Sequence, residues 1–236
     1  RTRASRSLYV VDKRQQRAFR RPGRQIGPCI TLTTCSRTTT RMDPALQWNL
    51  DDLVEMAVTG QSSQPAMRRG GYVHRPDGVG EVLPGMYGIT YNARVGDRAF
   101  GWAGDHVEPG VSIAHADERA DFALHYLSCI GNEAEVVTGL ARGARGIVTG
   151  EHARLLVDFE PDVLESMTIG DTVQVRTCGR SLRRESHPEL EFKQTSPALA
   201  EALGLRVVDG TVRCPVAMEL PPRIMGSGAE LNAEFV

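Results

Sequence analysis

Apolar and polar positions alternate most cleanly in IGDTVQVRTCG, where Val173 and Val175 share one face, as a half-buried strand requires. The runs EAEVVTG, ARGIVTG and RLLVDF are β-branched segments broken by glycines and predict further strands. In LRVVDGTVRCPV an Asp-Gly pair between β-branched runs predicts a hairpin with a two-residue type I′ turn. Helical spacing is confined to short stretches. Leu50, Leu53, Val54, Ala57 and Val58 follow Asn49, a good N-cap, until Gly60, which predicts a first helix. A second is predicted at about Asp117 to Cys129, with Ala120, Ala123, Leu124 and Leu127 on one face and Gly131 as its stop. Shorter ones are expected at PDVLESM, with Pro161 in the first turn, and from Ser196-Pro197 to Gly204. Strands outnumber helices and no βαβ rhythm is sustained, so the fold class is β-rich α+β.

Between Gly85 and Gly110 the chain reads GMYGITYNARVGDRAFGWAGDHVEPG, with six glycines. Each would cost roughly 1 kcal/mol in a helix relative to Ala, so this block predicts tight turns between short strands. The organisation expected from these patterns is a basic leader over 1–41, a Gly-rich β lobe with two helices over 42–130, and an SH3-like barrel subdomain over 131–182. An α/β hairpin segment over 183–221 and a flexible, shortened end over 222–236 complete it.

Charge supports setting the leader apart. Residues 1–41 hold 11 of the 28 bases and only Asp12 among the 29 acids, a net of +10, which leaves the remainder at −11. The leader is Arg- and Ser/Thr-rich without sustained apolar periodicity, so it cannot bury enough surface to offset its ordering entropy. It is expected to lie outside the fold as upstream or dispensable sequence, with a targeting signal or a nucleic-acid-gripping arm as alternatives. The acidic body should repel phosphate backbones except at a local basic patch. No apolar run approaches the ~20 residues needed to span a membrane. Three widely spaced body cysteines (Cys129, Cys178, Cys214) argue against a disulfide framework and for a reducing cytoplasm.

The candidate chemistry sits in WAGDHVEPG, residues 102–110. In an extended segment His106 and Glu108 face one side and Asp105 the other. A His-x-Glu pair can supply two ligands to a divalent metal or a base with its orienting carboxylate. These three are the candidate catalytic residues, and His106, Glu108 and His74 the candidate metal set, with His115 and Asp97 also near in sequence. Asp105 is read first as a turn residue, because Gly-Asp recurs at 96–97 and 170–171 next to strands, where the carboxylate can cap backbone amides. Tyr91, Asn92 and Trp102 are candidate ligand contacts; Tyr87 is a further aromatic, and aromatics among glycines also serve as core filler. Asn132-Glu133 marks either a pocket lining or an element end. Ser227 in MGSG lacks the frame of a nucleophile elbow.

Two resemblances extend this reading. GNEAEVVTGLARGARGIVTG, through Val136, Val137, Gly139, Arg142, Gly143, Arg145, Gly146 and Val148, resembles the KOW element of small SH3-like barrels in ribosomal proteins and translation factors. It implies a strand, a Gly-rich loop and a second strand, with Arg142 and Arg145 as candidate nucleic-acid contacts. The longer succession VLPGMYGITYNARVGDRAFGWAGDHVEPGVSI, CIGNEAEVVTGLARGARGIVTGEH, IGDTVQV and IMGSG resembles a prokaryotic family, domain of unknown function 4438. That resemblance implies a β-rich fold including a barrel, brings no established activity, and implies a further Gly-rich lobe past residue 228. The expected function is a small-molecule enzyme or binding protein with its pocket at residues 85–110, with a divalent metal as the candidate cofactor. The alternatives are a nucleic-acid module acting through the 139–146 hairpin and a structural, homo-oligomeric assembly subunit.

Overall fold

The computed structural model describes residues 46–66, 72–74, 80–82, 87–97 and 107–216. Its strands are β1 (Met56–Ser62), β2 (Tyr72–His74), β3 (Gly80–Val82), β4 (Ile89–Thr90), β5 (Gly110–Ala114), β6 (Glu133–Val136), β7 (Arg145–Glu151), β8 (Leu155–Asp158), β9 (Thr172–Thr177), β10 (Arg206–Val208) and β11 (Thr211–Arg213). The α-helices are α1 (Glu118–Leu127), α2 (Pro161–Ser166) and α3 (Pro197–Ala202).

Six strands close a barrel in the order β1-β9-β6-β7-β8-β5 and back to β1, every pair antiparallel, with β4 added beside β5. Closure removes the open edges that a sheet of this size would otherwise present. Four of these strands come from residues 131–182, and β1 and β5 come from earlier in the chain. Alternation fills the interior: on β9, Val173 and Val175 are buried while Gln174 and Arg176 face out. Val111, Ile113, Val136, Val148, Val157, Phe159, Leu164 and Met167 belong to the same core. The β-rich class, the barrel and the few short helices all match the reading from sequence.

The first expected helix is corrected. Only a 3-10 turn, Leu50–Asp52, forms there, and the chain then enters β1. Asn49 caps no helix; its side chain donates to Ser181 O at 3.1 Å and accepts from Arg183 N–H at 2.8 Å. Val58, Thr59 and Gly60 are poor helix formers, and six consecutive pairings of β1 with β9 outweigh the weak local preference.

The remaining helices form where expected. α1 is capped by Asp117, whose Oδ1 accepts from Ala120 N–H at 2.9 Å, and α3 by Ser196, whose Oγ accepts from Leu199 N–H at 3.1 Å. Pro161 and Pro197 stand in the first turns of α2 and α3. β10 and β11 pair around Asp209 and Gly210 at φ of 51° and 71°, as a type I′ turn demands.

Candidate functional site

Glu108 comes just before β5 and is turned inward. Gly110, at φ +77°, bends the chain there, and a Cβ at this position would run into the carbonyl oxygen of Val157. The bend lets the Glu108 carboxylate fold back over its own strand. Oε2 accepts from Ser112 Oγ and from Tyr87 N–H, the latter at 3.2 Å, and Oε1 lies 2.7 Å from His152 Nδ1. The Glu108 side chain is 5% exposed and that of His152 29%, so the carboxylate is enclosed and the ring reaches the surface. An ionised carboxylate only accepts, so the Nδ1 that faces it carries the hydrogen.

His152 sits on the three-residue connection between β7 and β8, closed by His152 N–H donating to Arg154 O at 2.9 Å. Ala153 between them has φ +55°, a left-handed conformation that a residue with a Cβ rarely adopts. It brings His152 and Arg154 to the same end of the barrel. The Arg154 guanidinium lies over the Tyr87 ring, 5.0 Å from its centroid, and its NH1 is 3.5 Å from Asp121 Oδ2 on α1.

A second group of polar side chains continues from there. His125, one turn after Asp121 on α1, has Nε2 3.7 Å from Asp121 Oδ2 and Nδ1 2.9 Å from Glu151 Oε1. The latter approach is close but falls short of hydrogen-bond alignment at Nδ1. Glu151 Oε2 accepts from Gln194 Nε2 at 3.0 Å. Burial raises the Glu151 carboxyl's pKa, but His125 and the Gln194 amide outweigh it and leave it below the ordinary value. Beyond the network, burial holds the Asp158 carboxyl above its usual value despite Arg94, whose NH2 lies 3.6 Å away.

Backbone strain gathers at this end. Five non-glycine residues among those described have positive φ, and three of them (Tyr87, Ala153 and Gln194) belong to this network. Left-handed conformations at side-chain-bearing residues cost about 1–3 kcal/mol each and concentrate at functional sites.

The sequence-predicted residues are distributed unevenly. Glu108 is at the centre of the network. Asp105, His106 and Trp102 lie outside the described residues, as does the side chain of His74. Tyr91 and Asn92 are exposed on the surface. His115 is used at the start of α1: its Nδ1 accepts from Asp117 N–H at 3.0 Å. Asn132 is buried and structural, accepting from Cys129 N–H and donating to Cys178 O, both at 2.7 Å. Arg142 and Arg145 are exposed on the β6–β7 hairpin beside Leu140, which is 90% exposed. The Gly-Asp turns at 96–97 and 170–171 form as expected, with Asp97 Oδ2 accepting from Arg94 N–H at 2.9 Å and Asp171 Oδ2 from Thr168 N–H at 2.8 Å. Among the described residues no three His, Cys, Asp or Glu side chains are grouped to hold a metal.

Sequence reasoning missed His152, Arg154, Asp121, His125, Glu151 and Gln194. Two signals were available: the doublet Glu151-His152 next to a strand-ending glycine, and the helical i, i+4 spacing of Asp121 and His125.

Residues 72–201 match the family model described as "Domain of unknown function (DUF4438), N-terminal". The chain is also similar to a solved structure titled "Crystal structure of TM1086", at 40% identity and a TM-score of 0.71, over 78% of this chain and 65% of that one. It thus spans just under two thirds of that protein's length. No curated protein matches it. No helix among the described residues is long and apolar enough to cross a membrane.

Proposed function

The chain belongs to that domain-of-unknown-function family, and on this premise we propose that it is a small-molecule enzyme working by acid–base chemistry at the Glu108–His152 pair. The observation that carries the reading is the enclosed Glu108 carboxylate. It is held by Ser112 and the Tyr87 amide, and it aims His152 from 2.7 Å at a surface-reaching position. With its Nδ1–H directed at Glu108, the ring exchanges protons through Nε2, and the fixed carboxylate stabilises the imidazolium that results. His152 is the proton acceptor and donor; Glu108 orients it. From the Gly-rich block, Tyr87 supplies its amide and Glu108 its carboxylate to this pair.

The test is a screen of proton-transfer reactions, covering ester and amide hydrolysis, elimination and isomerisation, with the full chain and its His152→Gln variant side by side. An activity that falls by about 10²–10⁴-fold in His152→Gln and substantially in Glu108→Gln supports the pair. An activity that both variants retain at the wild-type rate removes it.

A further inference from the structure

The network around Glu108 and His152 contains two groups on α1 that hold the hairpin carrying His152 on both sides. Glu151 precedes His152 and meets His125 at 2.9 Å; Arg154 follows it by two and meets Asp121 at 3.5 Å. Asp121 does more than face the hairpin: its Oδ1 accepts from His115 N–H at 2.7 Å, just past the end of β5, the strand that Glu108 precedes. Gln194 adds a third fastening, donating to Glu151 Oε2 at 3.0 Å and to His125 O at 3.4 Å. One helix turn thus joins the strand that follows Glu108 to the connection that carries His152.

We infer that Asp121 and His125 are positioning residues, which set the alignment of His152 on Glu108 by clamping the β7–β8 connection to α1. This rests on the reading of Glu108 and His152 as an acid–base pair. The physical need is plain: Ala153 is held at φ +55°, a conformation the connection abandons at little cost unless its neighbours fix it. A short loop bearing a functional side chain is precise only when its supporting contacts are locked. The clamp supplies close polar contacts on both flanks, and Tyr87 closes the fourth side by taking Arg154 on its ring.

The experiment is long-range 1H–15N spectroscopy of the imidazole rings in the uniformly 15N-labelled full chain, with the His152 signal assigned by its loss in His152→Gln. The dyad gives His152 a protected, downfield Nδ1–H resonance, which Glu108→Ala abolishes by removing the acceptor. Asp121→Asn keeps an oxygen for His115 N–H but loses its charge toward Arg154 and His125, and His125→Gln removes the contact to Glu151. In both variants the Nδ1–H resonance should broaden or vanish while the amide spectrum stays folded, a change that a purely structural role would not produce. If either variant fails to fold, the other decides. A resonance lost in Glu108→Ala but intact in the folded clamp variants overturns the clamp alone. Its absence from the wild type, or its persistence in Glu108→Ala, overturns the dyad reading and the clamp with it.

Discussion

At the scale of single residues, the site depends on how a few buried charges are kept compatible with folding. Glu151 is the most telling of them, because its burial disfavours the ionised form and His125 and Gln194 reverse that preference. The carboxyl therefore titrates below its ordinary 4.5 in the folded chain. As pH falls the unfolded chain takes up the proton first, so this group's contribution to stability is complete above about 4.5 and is lost as pH drops through the lower folded value. Glu151→Gln should destabilise the protein by about 1–2 kcal/mol at neutral pH in urea unfolding, with the gap to wild type narrowing as pH falls below the ordinary 4.5. A gap that stays constant across that range would assign Glu151 a packing role and remove the charge argument. Legibility at this scale was partial for a definite reason. Glu108 stands out in sequence because it lies in a polar, Gly-bounded stretch. Its partner His152 is 44 positions away, and only the β5–β8 and β7–β8 registers bring the two together.

Among the elements, local chemistry was decisive wherever a turn or cap demanded it. The Asp209-Gly210 hairpin, the Asp117 and Ser196 caps and the prolines opening α2 and α3 were all readable, because each answers a backbone requirement that few residues meet. The stretch after Asn49 was not, since helical spacing of Leu50, Leu53 and Val54 is a weak preference beside a six-residue ladder to β9. The β7–β8 connection breaks the local rule in the opposite direction: Ala153 occupies a position that suits glycine. Ala153→Gly should therefore raise the stability by about 0.5–1 kcal/mol, read as a higher urea midpoint at unchanged slope, because relief of the left-handed strain exceeds glycine's added chain entropy. In the acid–base reading the same substitution lowers activity, since glycine's wider backbone freedom loosens the connection that carries the His152 ring. A lower midpoint would mean that the connection stores no strain at Ala153.

On the scale of the whole molecule, the barrel is closed by its weakest seam. β1 meets β5 at two residue pairs only, Gln61 with Ala114 and Ser62 with Ile113, whereas it meets β9 at six. The helix α1 compensates by packing Leu124 over that seam, in space left by Gly60, where a Cβ would come 2.8 Å from Leu124 Cδ2 and 3.2 Å from Ile113 Cβ. This explains why Gly60, which looked like a helix stop in sequence, sits in mid-strand: close approach of α1 requires its missing side chain. The closure that results puts α1 beside β5 and the β7–β8 connection, so the arrangement of Asp121 and His125 depends on it. Gly60→Val should cost about 1–3 kcal/mol by overpacking. Its effect should appear first at the seam, with the Ser63 amide, which donates to Ser112 O, losing hydrogen-exchange protection at a lower free energy than the Val137 amide, which donates to Thr172 O on the opposite side of β9. Equal loss at both amides would mean that the barrel opens as one unit and that α1 does not hold its seam.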